Sequence, residues 1–236
     1  MPDTLSIIIP AYNEEATISE ILGRICQTKL VNDIEKEIII IDDGSKDHTA
    51  AKCQEFIDRH QDIKIVYHKQ VPNQGKGAAL RAGIEKASGK WAIVQDADLE
   101  YDPEDYNALL TWVIANDGKV VYGSRFLNQA NRHSYLRFYL GGRLVSMITN
   151  ILYGQHLTDE PTCYKFFNTE FLKSIPLKCK GFEFCPEITA KVCKRRIKIH
   201  EIPIKYYPRS IDEGKKINWK DGVIAIWTLV KYRFSD

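Results

Sequence analysis

In its first half the chain alternates short, continuously apolar runs with longer stretches in which apolar residues recur every three or four positions. The runs are Leu5–Ile9, Glu37–Ile41, Ile63–Tyr67, Trp91–Gln95 and Lys119–Tyr122. Continuous apolarity with many β-branched residues marks strands of a parallel sheet covered on both faces. Between them, Glu14–Gln27 places Ile18, Ile21, Leu22 and Ile25 on one helical face. Asp47–Arg59 and Gly77–Ser88 continue the alternation, and Pro103 suits the first turn of a helix to Asn116. This rhythm predicts an α/β fold: a mostly parallel central sheet flanked by helices and joined by right-handed crossovers.

The second half is less regular. Arg132–Tyr153 reads as a helix, with Leu136, Leu140, Leu144, Ile148 and Leu152 spaced by four. The loop Thr158–Thr162 precedes a strand over Cys163–Phe167, Glu183–Lys194 reads as a helix, Lys198–Ile202 and Ile204–Tyr207 as strands around Pro203, and Trp219–Phe234 as a last helix. No repeat, low-complexity tract or Gly/Ser linker interrupts residues 1–236, which predicts a single domain.

Composition narrows the class. Hydrophobic residues make up 44% and charged residues 27%, which excludes a disordered or fibrous chain. A net charge of +2 speaks against a uniformly basic nucleic-acid binder, yet it averages two unlike parts. Residues 163–236 hold 16 Lys/Arg against 8 Asp/Glu, and residues 1–162 hold 17 against 23. The six cysteines form no C-x-x-C pair and meet no His at zinc-finger spacing, so reduced, core-packed thiols are expected and zinc is not. Met1–Ile9 is too short for a secretory signal, and the longest apolar candidate, Val223–Val230, falls far short of the ~20 residues of a membrane span. A cytoplasmic location is expected.

Sheets of this kind bind ligands beyond the carboxyl ends of their strands, and polar residues gather there. Pro10-Ala11-Tyr12-Asn13-Glu14-Glu15 follows the first strand, offering an aromatic face and carboxylates at a helix start, although Asn13 also suits an N-cap. Asp42-Asp43-Gly44-Ser45 follows the second; two carboxylates ending a buried strand are costly without partners, and either a ligand or an Asx turn with Asp47 as cap provides them. Asp96-Ala97-Asp98-Leu99-Glu100 follows the fourth. In an extended segment Asp96 and Asp98 point the same way and suit Mg²⁺ or Mn²⁺ shared with substrate phosphates. Gly75-Lys76-Gly77 before a helix is like a phosphate-binding loop, but it lacks the full P-loop spacing, and no G-x-G-x-x-G follows the first strand, so neither a P-loop ATPase nor a dinucleotide-binding dehydrogenase is supported.

Pro10–Glu14, Asp42–Ser45, Gly75–Gly77, Asp96–Asp98 and Gly123-Ser124-Arg125 occur in the order and spacing of family-2 glycosyltransferases with the GT-A fold. The chain more closely resembles the polyprenyl-phosphate group, the dolichyl-phosphate mannose and glucose synthases, and Thr158-Asp159, Gly181–Phe184, Glu201–Pro203, Tyr206–Arg209 and Glu213–Lys216 extend the likeness over nearly the whole length. The resemblance implies a nucleotide-sugar-binding half over 1–125 and an acceptor-binding half over 126–236. It implies that Pro10, Ala11, Tyr12, Glu14, Asp42 and Asp43 line the nucleoside pocket. Asp96 and Asp98 would hold the metal, Mg²⁺ or Mn²⁺, with Glu100 as a third ligand where the mannose synthases often carry Gln. Lys76 would meet the donor, and Arg209, Lys215 and Lys216 would lie over the donor diphosphate or the acceptor phosphate. Arg125, Arg137, Arg143 and Ser146, with Arg132 a further candidate, would face an acceptor phosphate.

The implied reaction is an inverting, metal-dependent transfer of a hexose from a UDP- or GDP-sugar to polyprenyl (dolichyl or undecaprenyl) phosphate, with Asp98, Arg125 and Asp159 carrying catalysis. The alternative is transfer to a saccharide hydroxyl in cell-wall or capsule synthesis, for which Asp159 or Glu160 would be the base. Remoter readings are a nucleotidyltransferase and an inactive nucleotide-sugar-binding module. A polyprenyl acceptor requires contact with a membrane surface, and the helices Arg132–Tyr153 and Trp219–Phe234 combine apolar residues with Lys and Arg as interfacial helices do. The expected position is peripheral, on the cytoplasmic membrane face, with a membrane subunit or a second copy as a potential partner.

Overall fold

The computed structural model describes residues 3–132, 135–209 and 219–235. Seven strands form one sheet: β1 (Thr4–Ala11), β2 (Glu35–Asp42), β3 (Lys64–Lys69), β4 (Trp91–Val94), β5 (Val120–Ser124), β6 (Lys165–Asn168) and β7 (His200–Pro203). Their order is β3-β2-β1-β4-β6-β5-β7. β1 pairs in parallel with β2 and β4, β2 with β3, and β5 with β7. β6 alone runs antiparallel, between β4 and β5. The second half of the chain thus enters the same sheet as the first.

The helices are α1 (Ile18–Gln27), α2 (Thr49–Arg59), α3 (Lys76–Lys86), α4 (Tyr106–Asn116), α5 (Leu136–Tyr153), α6 (Thr169–Lys173), α7 (Phe184–Lys194) and α8 (Trp219–Phe234). The core forms where apolarity predicts it: Ile7, Ile8 and Ile9 of β1 and Ile38–Ile41 of β2 are sealed on both sheet faces, and Ile18, Ile21, Leu22 and Ile25 are the buried stripe of α1. The cysteines are free thiols, four of them buried.

Three elements differ from expectation. α1 starts at Ile18 rather than Glu14, because Asn13 takes a left-handed conformation (φ 52°) and its side-chain oxygen accepts from the Lys46 N–H, turning the chain before the helix begins. α6 is a five-residue helix that follows β6 directly; Asn168 caps it by accepting from the Phe171 N–H. Of the two strands expected around Pro203, the first is β7, while the second reduces to a single bridge between Tyr206 and Tyr101.

α5 and α8 pack on each other and on α7 through Val145, Ala190, Leu229 and Tyr232. The period-four stripe of α5 divides: Ile148 and Leu152 pack inward against this contact, whereas Leu136, Leu140 and Leu144, with Met147 and Ile151, make five exposed residues on the outer face. At 100° per residue these five fall within an arc of about 80°, opposite the buried Val145. α8 adds exposed Trp219, Val223, Ile224, Trp227 and Phe234. Among the described residues no helix is long and apolar enough to cross a membrane.

Candidate active site

The ends of β1, β2 and β4 converge, as their parallel pairing requires, and the three acidic motifs meet there. Asp43 follows β2 directly and is buried; its oxygens accept from the Gln74 and Gly75 N–H groups at 2.8 and 2.7 Å. Asp42 accepts from the Ser45 N–H at 2.7 Å and from the Tyr67 hydroxyl at 2.8 Å. Both carboxylates therefore hold neighbouring loops, and neither lines the cleft that opens alongside. Ala11, the last residue of β1, is buried with its carbonyl accepting from the Asp43 N–H, Pro10 precedes it opposite Ile41, and Tyr12 is half-buried beyond them. A cleft of about 1020 Å³ opens here, walled by Asn13, Glu14, Asp47, Asp98, Tyr207 and Arg209 among others.

The D-x-D segment is a turn and not the extended run expected. β4 ends at Val94, Asp98 Oδ1 accepts from the Glu100 N–H, and Leu99 adopts φ 63°, a left-handed conformation that costs a branched residue about 1 kcal/mol. Gln95 fixes the start of the turn. Its side chain, wholly buried, accepts from the hydroxyls of Tyr106 (2.5 Å) and Tyr164 (2.6 Å) and donates to the Asp96 carbonyl (2.9 Å).

Each aspartate meets its own cation. Lys76 Nζ lies 2.5 Å from Asp96 Oδ1, and Arg209 donates to Asp98 Oδ2 at 2.8 Å while standing 3.7 Å from Glu14. Burial alone would lower the Lys76 pKa, but Asp96 reverses this and raises it. Burial, together with Asp96 and Glu100, pushes Asp98 up to about 7 in spite of Arg209 and Lys76. Glu100, expected as a third ligand, is engaged by residues 206–209 in this structure. Its carboxylate accepts from the Arg209 N–H at 2.8 Å and the Tyr206 hydroxyl at 3.2 Å, so it ties residues 206–209 to the turn. Among the described residues no three His, Cys, Asp or Glu side chains assemble as a ready metal site. Asp96 and Asp98, hard oxygen donors crowded enough to hold back a proton, nevertheless fit a divalent cation that completes its shell with phosphate oxygens.

The Gly75–Gly77 segment does not cradle an anion with its amides. Lys180 carbonyl accepts from the Gly77 and Ala78 N–H groups at 2.8 and 3.2 Å, filling the start of α3. Gly75 permits the approach: it adopts φ 95°, and a Cβ there would lie 2.3 Å from that carbonyl. Lys76 alone remains to meet a ligand.

A second polar cluster is built from the end of β5 and the 158–162 loop. Arg125 donates to Asp159 three times, from its backbone N–H and Nε to Oδ2 (both 2.8 Å) and from its second guanidinium nitrogen to Oδ1 (2.7 Å). Glu201 orients this loop from β7 by accepting from the Thr158 and Asp159 N–H groups at 2.6 and 2.9 Å. Burial alone would lower the Arg125 pKa, but Asp159 holds it well above the usual value. The Arg125 guanidinium lies among the rings of Tyr101, Phe126 and Tyr206, and Arg143 also approaches the Phe126 ring, at 5.8 Å. Arg137 lies one and a half turns earlier on α5, against Tyr135 and Phe138, and Arg132 is exposed. Ser146 is not at the surface of the site. It is buried, donating to the Gly142 carbonyl and accepting from the Glu160 N–H. Lys215 and Lys216 lie outside the described residues. Gln95 and the Lys180 carbonyl escaped the sequence reading, and Glu201 entered it only within the Glu201–Pro203 motif, without a role, since each acts on a partner 40 or more residues away or through the main chain; Gln95, a polar residue ending an apolar run, is the one local sign.

Residues 6–175 match the profile described as Glycosyl transferase family 2. The chain belongs to that family. This family 2 glycosyltransferase is 31% identical over 229 residues to UDP-N-acetylglucosamine–dolichyl-phosphate N-acetylglucosaminyltransferase of Methanococcus voltae, covering 89% of each chain. It is 30% identical to dolichyl-phosphate beta-glucosyltransferase of Dictyostelium discoideum, covering 98% of this chain and 74% of that one. With dolichol-phosphate mannosyltransferase of Pyrococcus furiosus it shares 27% identity over 89% of its own length and 58% of the relative's. Among solved structures, glucosyl-3-phosphoglycerate synthase of Mycobacterium tuberculosis in complex with UDP superposes with a TM-score of 0.71 at 20% identity, covering 99% of this chain and 81% of that one. That likeness establishes the GT-A fold of the glycosyltransferase; the same synthase has also been crystallised with Mn²⁺ and UDP.

Proposed function

We propose that the enzyme transfers a hexose from a nucleoside diphosphate sugar to a polyprenyl monophosphate, with inversion at the anomeric carbon. The observation that carries the acceptor class is the state of Asp159: 0% exposed, with both oxygens engaged by Arg125. A hydroxyl acceptor needs a base to take its proton. Asp159 is not available for that work, and Glu160 is equally sealed, with Lys165 Nζ 4.0 Å from its carboxylate. A phosphate oxygen is already ionised at neutral pH and needs cations instead, and Arg125 and Arg143 flank Phe126 where the acceptor would enter. Relatives named for dolichyl-phosphate acceptors support the same reading.

In this reading the anomeric C–O bond to the diphosphate breaks as an acceptor phosphate oxygen bonds the same carbon from the opposite face. Lys76 and Arg209 stand where charge grows on the departing diphosphate. A divalent cation held by Asp96 and Asp98 would supply further neutralisation of that leaving group. The nucleoside would occupy the cleft beside Glu14 and Asp47. The Methanococcus relative and the UDP-bound neighbours favour a uridine donor.

The outward apolar stripes of α5 and α8 supply the membrane contact that such an acceptor demands. Arg137 and Arg143 border the stripe on α5, Lys231 and Arg233 lie near the end of α8, and exposed Trp219 and Trp227 suit the headgroup level of an anionic bilayer. The experiment is a mass-detected screen of UDP-glucose, UDP-N-acetylglucosamine and GDP-mannose against a short polyprenyl phosphate. A sugar-phosphate-lipid with release of the nucleoside diphosphate is expected. Transfer only to saccharides, or release of free pyrophosphate, refutes the assignment.

A further inference from the structure

The turn leading into α7 presents an exposed aromatic side chain that neither the core nor the proposed chemistry uses. Phe182 is 36% exposed, whereas Phe184, two residues on, is 2% exposed and belongs to the core. The Phe182 ring centroid lies 5.6 Å from Lys76 Nζ, and that ammonium is 2.5 Å from Asp96. The ring thus flanks the carboxylate pair on the Asp96 side. The nucleoside cleft adjoins the other member, Asp98, with Arg209 and Glu14.

The turn is rigid. Glu183 Oε1 accepts from the N–H groups of Lys180 and Gly181 at 2.9 and 3.0 Å. Lys180 carbonyl is bonded to the first amides of α3. Phe182 is therefore bracketed by the Glu183 carboxylate, which closes onto the Lys180 and Gly181 amides, and by the Lys180 carbonyl bonded to α3. A single cation–π contact with Lys76 does not by itself account for an aromatic fixed at this place.

We propose that Phe182 is the platform on which the transferred sugar ring rests, making it a determinant of affinity for the sugar as distinct from the nucleotide. A diphosphate anchored between the Asp96–Lys76 and Asp98–Arg209 pairs, with its nucleoside on the Asp98 side, carries its hexose toward Phe182. A pyranose offers a face of C–H groups, and a flat apolar ring covers that face without requiring hydrogen bonds. This inference rests on the nucleotide-sugar reading above.

The test is calorimetric titration, with MnCl₂ present, of wild type, Phe182→Ala and Phe182→Tyr with UDP and with the sugar nucleotide that wild type binds best among UDP-glucose, UDP-N-acetylglucosamine and GDP-mannose. Where GDP-mannose binds best, GDP replaces UDP. Phe182→Ala is expected to weaken the sugar nucleotide about tenfold while leaving the free nucleotide within about twofold, and Phe182→Tyr to restore wild-type affinity. Equal weakening of both ligands, or of neither, overturns the platform. So does an unchanged sugar-nucleotide affinity with a weakened polyprenyl-phosphate acceptor, which would make Phe182 part of the lipid path. A wild-type protein that binds none of these nucleotides overturns the donor reading itself, and the platform with it. Thermal melting of each variant confirms folding, and Phe182→Leu serves where Ala melts early.

Discussion

Arg209 donates to Asp98 at 2.8 Å, so the second aspartate of the D-x-D turn already holds a guanidinium where a divalent cation would be bound. The two cations compete for one carboxylate. Arg209→Ala is expected to tighten Mn²⁺ binding about tenfold, measured by calorimetry without nucleotide, while weakening UDP-sugar binding by a similar factor. Unaltered Mn²⁺ affinity in the variant would show that the contact does not oppose the metal.

Asp98 sits at about 7, raised by burial and by Asp96 and Glu100. A metal binds the ionised form and displaces the proton, so Mn²⁺ affinity should be full above pH 7 and fall roughly tenfold per unit below it. An aspartate at its ordinary 3.8 would give a flat profile over the same range. Titration between about pH 5 and pH 8, in buffers of different ionisation enthalpy, checks both the slope and the released proton.

Glu37, at the start of β2, is almost wholly buried and accepts from the Ser6 hydroxyl (2.6 Å) and from the Ser88 N–H and hydroxyl (2.8 and 2.7 Å). Burial alone would raise its pKa, but Lys64, Ser6 and Ser88 lower it to about 2 from 4.5. A depressed carboxylate stabilises the fold above its unfolded value and loses that contribution as pH falls from 4.5 through 2. Glu37→Gln should cost about 3 kcal/mol at neutral pH and flatten the acid limb of the stability profile in urea titrations. A variant with the wild-type acid limb would mean that Glu37 does not govern it.

The outward stripes of α5 and α8 give a surface prediction. Leu140 is 54% and Trp227 65% exposed, so Leu140→Glu with Trp227→Glu should leave the melting temperature within a few degrees. The pair should lower binding to anionic phosphatidylglycerol vesicles at least about tenfold in sedimentation assays. Undiminished vesicle binding would place the membrane contact elsewhere.

The isoleucine runs of β1 and β2 announce themselves because a strand buried on both faces tolerates little else, and the acidic motifs stand out because they break such runs. Other features have no local signal. The reversed direction of β6 depends on how the chain returns through α5, not on the residues Lys165–Asn168. The apolar repeat of α5 has the spacing of a core helix, and only the packing against α7 and α8 shows that Ile148 and Leu152 turn inward while Leu136, Leu140 and Leu144 look outward. Nothing local to Asp159 and Glu160 announces Arg125 and Lys165 beside them, and nothing local to Glu100 announces the Arg209 N–H, which arrives from 109 residues away. Residues whose role is to hold another residue become legible only when both are placed.

The bonding of Lys180 to the first turn of α3 has a bearing on how this enzyme can be recombined. Residues 73–77 and 178–183 are far apart in sequence but form one piece, closed by Gly75 with no room for a methyl group. A chimera that imports the 178–183 turn from a relative of different sugar preference, and leaves the native Gly75–Gly77, joins two surfaces never matched to each other. The pair is the natural unit of exchange: transplanted together, the two segments bring their own fit.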